Sequence, residues 1–362
     1  MVMETLLSDR DNEQNITSLP LEDWTNVYEA VRWIQQIVAI LSILGSGSII
    51  FYAAFQNLIR TSEVRPLFFL SVTDMLLSLS WLVGAVLFTQ SCSSPGACYN
   101  LHIIEQIFYM SSFFYTLNYV WVLHRSLKRT YYRRLNSYPS QFPEMTSLFG
   151  CIAIVLSCVF PLLLMVPVLA VGNSDQCYTN FSQPYKCLLM HRGALYPTSR
   201  YRNELTSCHM VHVYGIAVFL ATFLFTFMGI VVLMGKAHSL YKRCVDSSGY
   251  FGDRQWAALS VLERRMVLYP SAFFFCWSPA VFLAAMILFS PKTVQGKVGV
   301  FLYILQAFTS ASQGLLNCLV YSWTQQQFRS LSRGAMRDVD TQTPLLRSQK
   351  SYAALHMAGT KT

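Results

Sequence analysis

Residues 266–289 read MVLYPSAFFFCWSPAVFLAAMILF, a segment without a single charged side chain. A helix needs about 20 mostly apolar residues to cross the hydrocarbon core of a bilayer, and this segment is long enough. A surface helix of a soluble protein carries polar residues on one face, whereas this segment is apolar on all sides. The segment therefore predicts a membrane-spanning helix.

Six further segments have the same character, which predicts seven spans in all. The predicted spans are residues 34–55, 66–89, 101–123, 147–170, 211–234, 266–289 and 298–323. The third is the least apolar, because Glu105, Ser112 and Asn118 interrupt it. Hydrophobic residues make up 53% of the chain and charged residues only 12%, against about 25% in soluble domains. We expect an all-α integral membrane protein, a bundle of seven transmembrane helices.

The basic residues predict the orientation of this bundle. Most of the 27 Lys and Arg residues fall in segments that are cytoplasmic if the N-terminus lies outside, and loops rich in Lys and Arg stay inside. The net charge of +9 is thus explained by membrane topology, and we do not expect nucleic-acid binding. Asn15 and Asn180 each begin a glycosylation sequon, and both then lie outside.

The predicted organisation has four parts. They are an extracellular tail at 1–32, the bundle at 33–323, a short amphipathic eighth helix at 324–334 and a disordered cytoplasmic tail at 335–362. The acidic N-terminal segment lacks a basic start followed by an apolar run, so we do not expect a cleavable signal peptide. The first span should then insert as a permanent anchor.

Five of the ten cysteines lie at outer ends of spans or in outer loops, where disulfides persist. These are Cys92, Cys98, Cys177, Cys187 and Cys208. Cys98 begins the third span, and the long loop after the fourth span carries Cys177 and Cys187. We expect a bridge from Cys98 to that loop. Five cysteines allow two bridges with one left over, and the sequence leaves the connectivity open.

Polar residues inside the predicted spans mark candidate functional positions, because ionisable groups in a bilayer are costly and usually face the bundle interior. Asp74 lies mid-way along the second span. A polar face on the seventh span has helical spacing and includes Gln306, Ser310, Gln313, Asn317 and Tyr321. Polar stripes in lipid need partners, so the two spans should face each other. We interpret Asp74, Gln313, Asn317 and Tyr321 as an inner polar network, with helix adhesion as the plainer alternative.

Three motifs carry a resemblance to rhodopsin-like receptors. Residues 273–279, FFFCWSP, resemble the F-x-x-C-W-x-P pattern of their sixth helix. Residues 317–321, NCLVY, resemble N-P-x-x-Y, and residues 70–74, LSVTD, resemble the L-x-x-x-D core of the second helix. Phe328 follows at the spacing where that family begins its eighth helix. The resemblance implies a sixth-helix switch made of Phe273, Cys276, Trp277 and Pro279.

The chain also departs from that pattern. Cys318 replaces the proline of the seventh-span motif, and residues 44–48, LGSGS, replace the usual Gly-Asn of the first span. The third span ends in VLHR at 122–125 instead of Asp/Glu-Arg-Tyr. These features are more similar to the cyclic-AMP-receptor-like branch. Residues 161–165, 309–321 and 340–346 are similar to the transmembrane protein 116 family, a group of orphan receptor-like membrane proteins.

The resemblance implies a receptor that couples to a cytoplasmic heterotrimeric G protein at the plasma membrane and responds to an unknown extracellular ligand. Candidate pocket residues at the outer ends of the spans are Glu105, Tyr109, His212 and Gln306. Arg125 is the candidate G-protein contact, although His124 stands where the family has an acidic partner. A positive-inside anchor is the alternative role for Arg125.

Other functional classes fit the sequence less well. A transporter usually has internal repeats, and none is visible here. A retinal pigment needs a lysine in the seventh span, and residues 298–323 contain none. His209 and His212 lack the Asp, Glu or Cys ligands of a metal site, and no common hydrolase motif is present. We therefore expect no enzyme, metal or cofactor. A non-signalling membrane scaffold is the hardest alternative to exclude.

Overall fold

The computed structural model describes residues 25–61, 64–90, 95–135, 144–177, 205–246, 253–290, 297–327 and 330. Within these ranges the chain forms helices and no strand. In order they are α1 (Thr25–Phe55), a 3-10 turn (Leu58–Arg60), α2 (Val64–Gln90), α3 (Pro95–Leu135), α4 (Glu144–Ser174), α5 (Leu205–Asp246), α6 (Asp253–Phe289) and α7. α7 has an outer segment (Lys297–Ala311) and an inner segment (Gln313–Gln327).

The helices pack as a closed ring with α3 at its centre. α3 contacts α2, α4, α5 and α6, and α1 contacts both α2 and α7, which closes the ring. The predicted seven-helix bundle is confirmed. Large apolar side chains cover its outer surface, among them Leu44, Leu163 and Phe225, each more than 60% exposed. An apolar surface of this extent would associate in water but is solvated by lipid tails.

The third helix is central although it is the least apolar of the seven. Five of the helices are long and apolar enough to cross a membrane by themselves, and six if the two segments of α7 count as one. α3 does not meet that criterion, yet Glu105, Ser112 and Asn118 are all buried. The surrounding helices shield these polar groups from lipid, since a lipid-exposed polar group would lack partners.

α7 is not the continuous helix that its apolar pattern predicts. Its two segments meet at Ser312 with a bend of 46°. The backbone N–H of Ser312 donates to the carbonyl of Thr309 at 3.2 Å, which is a tighter turn than that of an α-helix. Beyond this break, the backbone N–H of Gly314 donates a hydrogen bond to a side chain of another helix. The acceptor is Ser42 Oγ of α1, at 3.0 Å.

Glycine permits this contact between α1 and α7. A Cβ on Gly45 would lie 2.9 Å from the Cα of Leu315 and 3.0 Å from the carbonyl oxygen of Gly314. Only glycine lets the two backbones approach so closely, as at other close helix contacts in membranes. The LGSGS segment that departs from the receptor pattern is therefore the segment that packs against the bend.

The ends of the bundle differ in detail from the predicted boundaries. α1 begins at Thr25, inside the segment predicted as an extracellular tail. Thr324–Gln327, the start of the predicted eighth helix, is helical and continues the inner segment of α7. The rest of that helix, apart from Ser330, lies outside the described residues. So do the tail at 335–362 and the sequons at Asn15 and Asn180.

Candidate functional site

Asp74 of α2 lies at the centre of a polar cluster in the bundle interior. Its side chain is 1% exposed. Ser112 Oγ of α3 donates to Asp74 Oδ1 at 2.8 Å, and Asn317 Nδ2 of α7 donates to Asp74 Oδ2 at 2.8 Å. Both carboxyl oxygens therefore have a donor, and three helices meet at one side chain.

The hydrogen bonds continue from this cluster to α6. Gln313 Nε2 donates to Ser112 Oγ at 2.6 Å, and Trp277 Nε1 donates to Gln313 Oε1. The resulting path runs from Trp277 through Gln313, Ser112 and Asp74 to Asn317, and we call it the interior network. It joins α2, α3, α6 and the inner segment of α7, to which Gln313 and Asn317 contribute from positions about one turn apart.

Trp277 links the interior network to an aromatic cluster. Its ring lies 4.8 Å from that of Phe113 and 5.4 Å from that of Tyr109, between centroids. Phe273, one turn earlier on α6, lies 5.3 Å from Phe113. These rings are all buried, so a rotation of Trp277 would require its neighbours to move.

The other residues of the predicted sixth-helix switch lie on the same helix. Cys276 is buried, with its Sγ 3.9 Å from Ser312 Oγ at the bend of α7. Pro279 and Pro270 both lie inside α6. A proline inside a helix removes one backbone hydrogen bond, which makes each of these positions a natural point of bending.

The four candidate pocket residues lie in the outer half of the bundle at different degrees of burial. Glu105 is 2% exposed, and its Oε2 lies 2.9 Å from His102 Nδ1 on the preceding turn of α3. Tyr109, the next turn inward, belongs to the aromatic cluster. Gln306 is buried on α7, and His212 is half-buried on α5. The sequence placed these residues near the outer ends, and the structure places Tyr109 directly against Trp277.

At the inner end of α3, Arg125 is partly buried, and its Nη1 is shielded from solvent. Leu123 and Leu127 face the bundle interior and are almost fully buried. The Arg125 guanidinium carbon instead lies 4.5 Å from the centre of the Trp121 ring, one turn back on the same helix. His124, just beyond the predicted span, has its pKa lowered by burial and by the nearby cations Lys128, Lys236 and Arg125. A neutral imidazole cannot replace the missing acidic partner of Arg125.

Tyr321, predicted as part of the inner polar network, contacts other residues. Its ring lies 5.9 Å from the Tyr52 ring of α1 and 5.6 Å from the guanidinium carbon of Arg265 on α6. It is buried one turn beyond Asn317. The polar face of α7 is thus divided: Gln313 and Asn317 enter the interior network, and Tyr321 packs at the inner end.

The observed disulfides exclude one of the two loop cysteines as the partner of Cys98. Cys177 is bonded to Cys208, which ties the end of α4 to the first turns of α5. Cys98 is also disulfide-bonded, and its partner lies outside the described residues. Cys177 is therefore not that partner, because a cysteine forms one bridge only. A bridge from Cys98 to Cys187 remains a prediction.

Sequence reasoning missed two residues of the site. Ser112 connects Asp74 to Gln313, yet in the sequence it only lowers the hydropathy of the third span. Ser42 accepts the free N–H of Gly314, and a serine in an apolar helix gives little signal by itself. The small residues that follow Ser42 were the available signal for that contact, because small residues mark close helix contacts in membranes. Ser112 is followed by two phenylalanines and gives no such signal.

Comparison with known proteins identifies the family. Residues 28–354 match the family described as transmembrane protein 116. The chain belongs to this family. A curated relative, the tachykinin-like peptides receptor 86C of Drosophila melanogaster, is 21% identical over 356 residues. That alignment covers 91% of this chain and 65% of the relative, so the chain spans slightly under two thirds of the length of the relative.

A solved structure shows the same fold. The crystal structure of squid rhodopsin superposes with a TM-score of 0.55 at 17% sequence identity. The match covers 87% of this chain and 86% of the rhodopsin chain. The protein is thus a multi-pass membrane protein resembling G-protein-coupled receptors.

Proposed function

We propose that this protein is a receptor in which an extracellular ligand rearranges the helices and thereby activates a cytoplasmic heterotrimeric G protein. The observation that supports it most is the interior network, a hydrogen-bonded path from Trp277 to Asn317 that joins four helices. The path begins at an aromatic cluster in the outer half and ends beside the inner segment of α7. We further propose that the protein acts at the plasma membrane and not as an enzyme.

In this proposal the ligand binds near Glu105, Tyr109, His212 and Gln306. Tyr109 contacts the Trp277 ring, so a shift of Tyr109 would displace Trp277 and its hydrogen bond to Gln313. Gln313 begins the inner segment of α7, and its displacement would alter the contacts of that segment with Ser112. The prolines of α6 and the bend of α7 are the points where such a change becomes a movement of the inner ends.

Arg125 has a smaller part in this proposal than the resemblance implies. Its guanidinium stacks on Trp121 of the same helix, and Arg125 is the first basic side chain after the predicted third span, which suits an anchor at the membrane interface. We assign it that role. The neighbouring inner surface, where Leu123 and Leu127 are buried, is the surface a G protein would have to reach after the helices move.

The test measures signalling per molecule at the cell surface. Asn317→Ala and Trp277→Phe each remove one link of the interior network, and we expect at least a threefold change in basal or ligand-driven G-protein activation. Ser271→Ala is the matched control, because that hydroxyl bonds only the backbone of its own helix, at Val267. Arg125→Ala should behave like the control. Activation would be read by a panel of G-protein dissociation sensors and normalised to surface expression.

Two outcomes would contradict the proposal. If surface-expressed protein activates no G protein and all the variants remain silent, a non-signalling scaffold is the better interpretation. If purified protein in liposomes moves a solute and Trp277→Phe changes that flux, the protein is a transporter.

A further inference from the structure

The inner ends of α6 and α7 are joined by two consecutive arginines. Arg265 Nε donates to Thr324 Oγ1 at 3.2 Å, and its Nη2 donates to Gln325 Oε1 at 3.1 Å. Arg264 Nη1 donates to Gln327 Oε1. Together with the two ring contacts described next, these three hydrogen bonds make five contacts between one short stretch of α6 and the last turns of α7.

Aromatic rings complete this connection. The guanidinium carbon of Arg264 lies 5.6 Å from the centre of the Trp323 ring, and that of Arg265 lies 5.6 Å from the Tyr321 ring. An arginine over an aromatic face gains electrostatic attraction from the ring. Each arginine thus contacts both an amide oxygen and a ring on α7.

The backbone hydrogen bonding of both helices is interrupted outside this connection. Pro270 lies one turn after Arg265, and the break at Ser312 separates the inner segment of α7 from its outer segment. The inner parts of both helices can therefore move relative to the rest of the bundle. Between α3 and α6 at this level, the rings of Tyr119 and Tyr269 lie 4.7 Å apart.

We propose that Arg264 and Arg265 act as a releasable clasp that holds the inner end of α6 against the inner segment of α7. Opening the clasp lets α6 move away from α3 and α7 and uncovers the inner surface of the bundle. The purpose of that opening rests on the proposed receptor function. The movement of α6 itself can be measured without a G protein.

The chemistry of the acceptors explains why the clasp can release. Thr324, Gln325 and Gln327 offer a hydroxyl and two amide oxygens, which are uncharged. Hydrogen bonds from a guanidinium to a carboxylate are shorter and roughly twice as strong as those to neutral groups. A carboxylate in place of Gln327 should therefore tighten the clasp, and loss of a guanidinium should loosen it.

The experiment measures the distance between α3 and α6 by pulsed electron paramagnetic resonance on the full chain in lipid nanodiscs. Spin labels on a ketone-bearing amino acid at positions 129 and 263 leave the native cysteines unlabelled. For Arg265→Gln we expect at least a twofold increase in the fraction of molecules at the longer distance. For Gln327→Glu we expect at least a twofold decrease, with a narrower distribution. Arg243→Gln, which removes an exposed cation from the inner end of α5, is the matched control and should change nothing.

The two variants have opposite expected signs, so a loss of folding in one does not prevent the test. If Gln327→Glu leaves the distribution unchanged, or if Arg243→Gln shifts it as much as Arg265→Gln, the clasp is refuted. A shift in the distances without any G-protein activation would support the clasp and refute the proposed coupling instead.

Discussion

Asp74 shows how a single side chain is held inside a bundle surrounded by lipid. An acidic residue at the centre of a membrane helix costs about 2.5–3.5 kcal/mol on insertion scales. Hydrogen bonds between membrane helices return roughly 0.6–2 kcal/mol each. The two hydrogen bonds from Ser112 and Asn317 are therefore, at best, about as favourable as the insertion of Asp74 is unfavourable. Asp74 adds little net stability, which is consistent with a role in the interior network.

Removal of Asp74 should nevertheless destabilise the fold, because it leaves two buried donors without an acceptor. For Asp74→Ala we expect a loss of about 1–3 kcal/mol in the free energy of unfolding. Asp74→Asn keeps the volume and one acceptor oxygen, so we expect a smaller loss. Thermal unfolding of purified protein in detergent measures both. Ser71→Ala is the control, since that equally buried hydroxyl bonds only the carbonyl of Leu67 on its own helix. Equal melting temperatures for all three variants would show that the interior network does not stabilise the fold.

At the scale of helices, the decisive contact is between α1 and the bend of α7. Ser42 accepts the N–H that the break exposes, and Gly45 lets α1 reach the backbone of Leu315. Proline commonly causes such bends, but Cys318 stands where the related motif has proline, and the bend occurs at Ser312. A tight turn and a hydrogen bond from a neighbouring helix here replace the effect of proline.

A pair of glycines on α1 tests this contact. Alanine is a better helix former than glycine by up to about 1 kcal/mol, so an unopposed Gly→Ala change should stabilise. At Gly45 the added Cβ would meet backbone at 2.9 Å, and α1 would have to move away. For Gly45→Ala we expect a net loss of about 1–3 kcal/mol, in the range of overpacked cores.

Gly47→Ala is the matched control for this change, because nothing lies within 4 Å of a Cβ at that position. We expect it to be neutral or slightly stabilising. Melting temperatures of the two variants in the same detergent decide the matter, and a stabilised Gly45→Ala protein would disprove the close approach.

For the whole molecule, the Cys177–Cys208 disulfide adds a covalent link between two helices, α4 and α5, that already pack against each other. It joins the end of α4 to α5 across 31 residues of sequence. In the chain-entropy account a bridge closing a loop of that length stabilises by about 3–4 kcal/mol. The bridge therefore restricts how the adjoining ends of α4 and α5 can be arranged.

The double variant Cys177→Ser/Cys208→Ser should therefore lower the free energy of unfolding by about 2–4 kcal/mol. Cys158→Ser, which alters a free and exposed cysteine of α4, is the control and should have little effect. Peptide mapping under non-reducing conditions should recover a Cys177–Cys208 peptide, and we expect a second peptide that links Cys98 to Cys187. A Cys98–Cys177 peptide from folded protein would refute this connectivity.

Apolar segment length and the distribution of basic residues were enough to predict seven helices and their order along the chain, because the hydrocarbon core sets the length of a span. The sequence also marked Asp74, Gln313 and Asn317 as candidate functional positions, since polar groups in a bilayer must find partners inside the bundle. The resemblance to rhodopsin-like receptors added Trp277. It could not show which donor meets which acceptor. The pairing of donors and acceptors depends on how far each helix is rotated and how deep it lies in the membrane. Lipid tails are equally apolar on every side of a helix, so they determine neither.

Only the tertiary structure decided the remaining features. Ser112 became the link between Asp74 and Gln313 because α3 lies at the centre of the ring, a position that its own hydropathy does not reveal. At the bend, the N–H of Gly314 finds its acceptor in Ser42 of another helix, α1. Cys177 pairs with Cys208 because α4 and α5 end side by side. In each case the partner is distant in sequence, so local patterns could determine the helices but not the contacts between them.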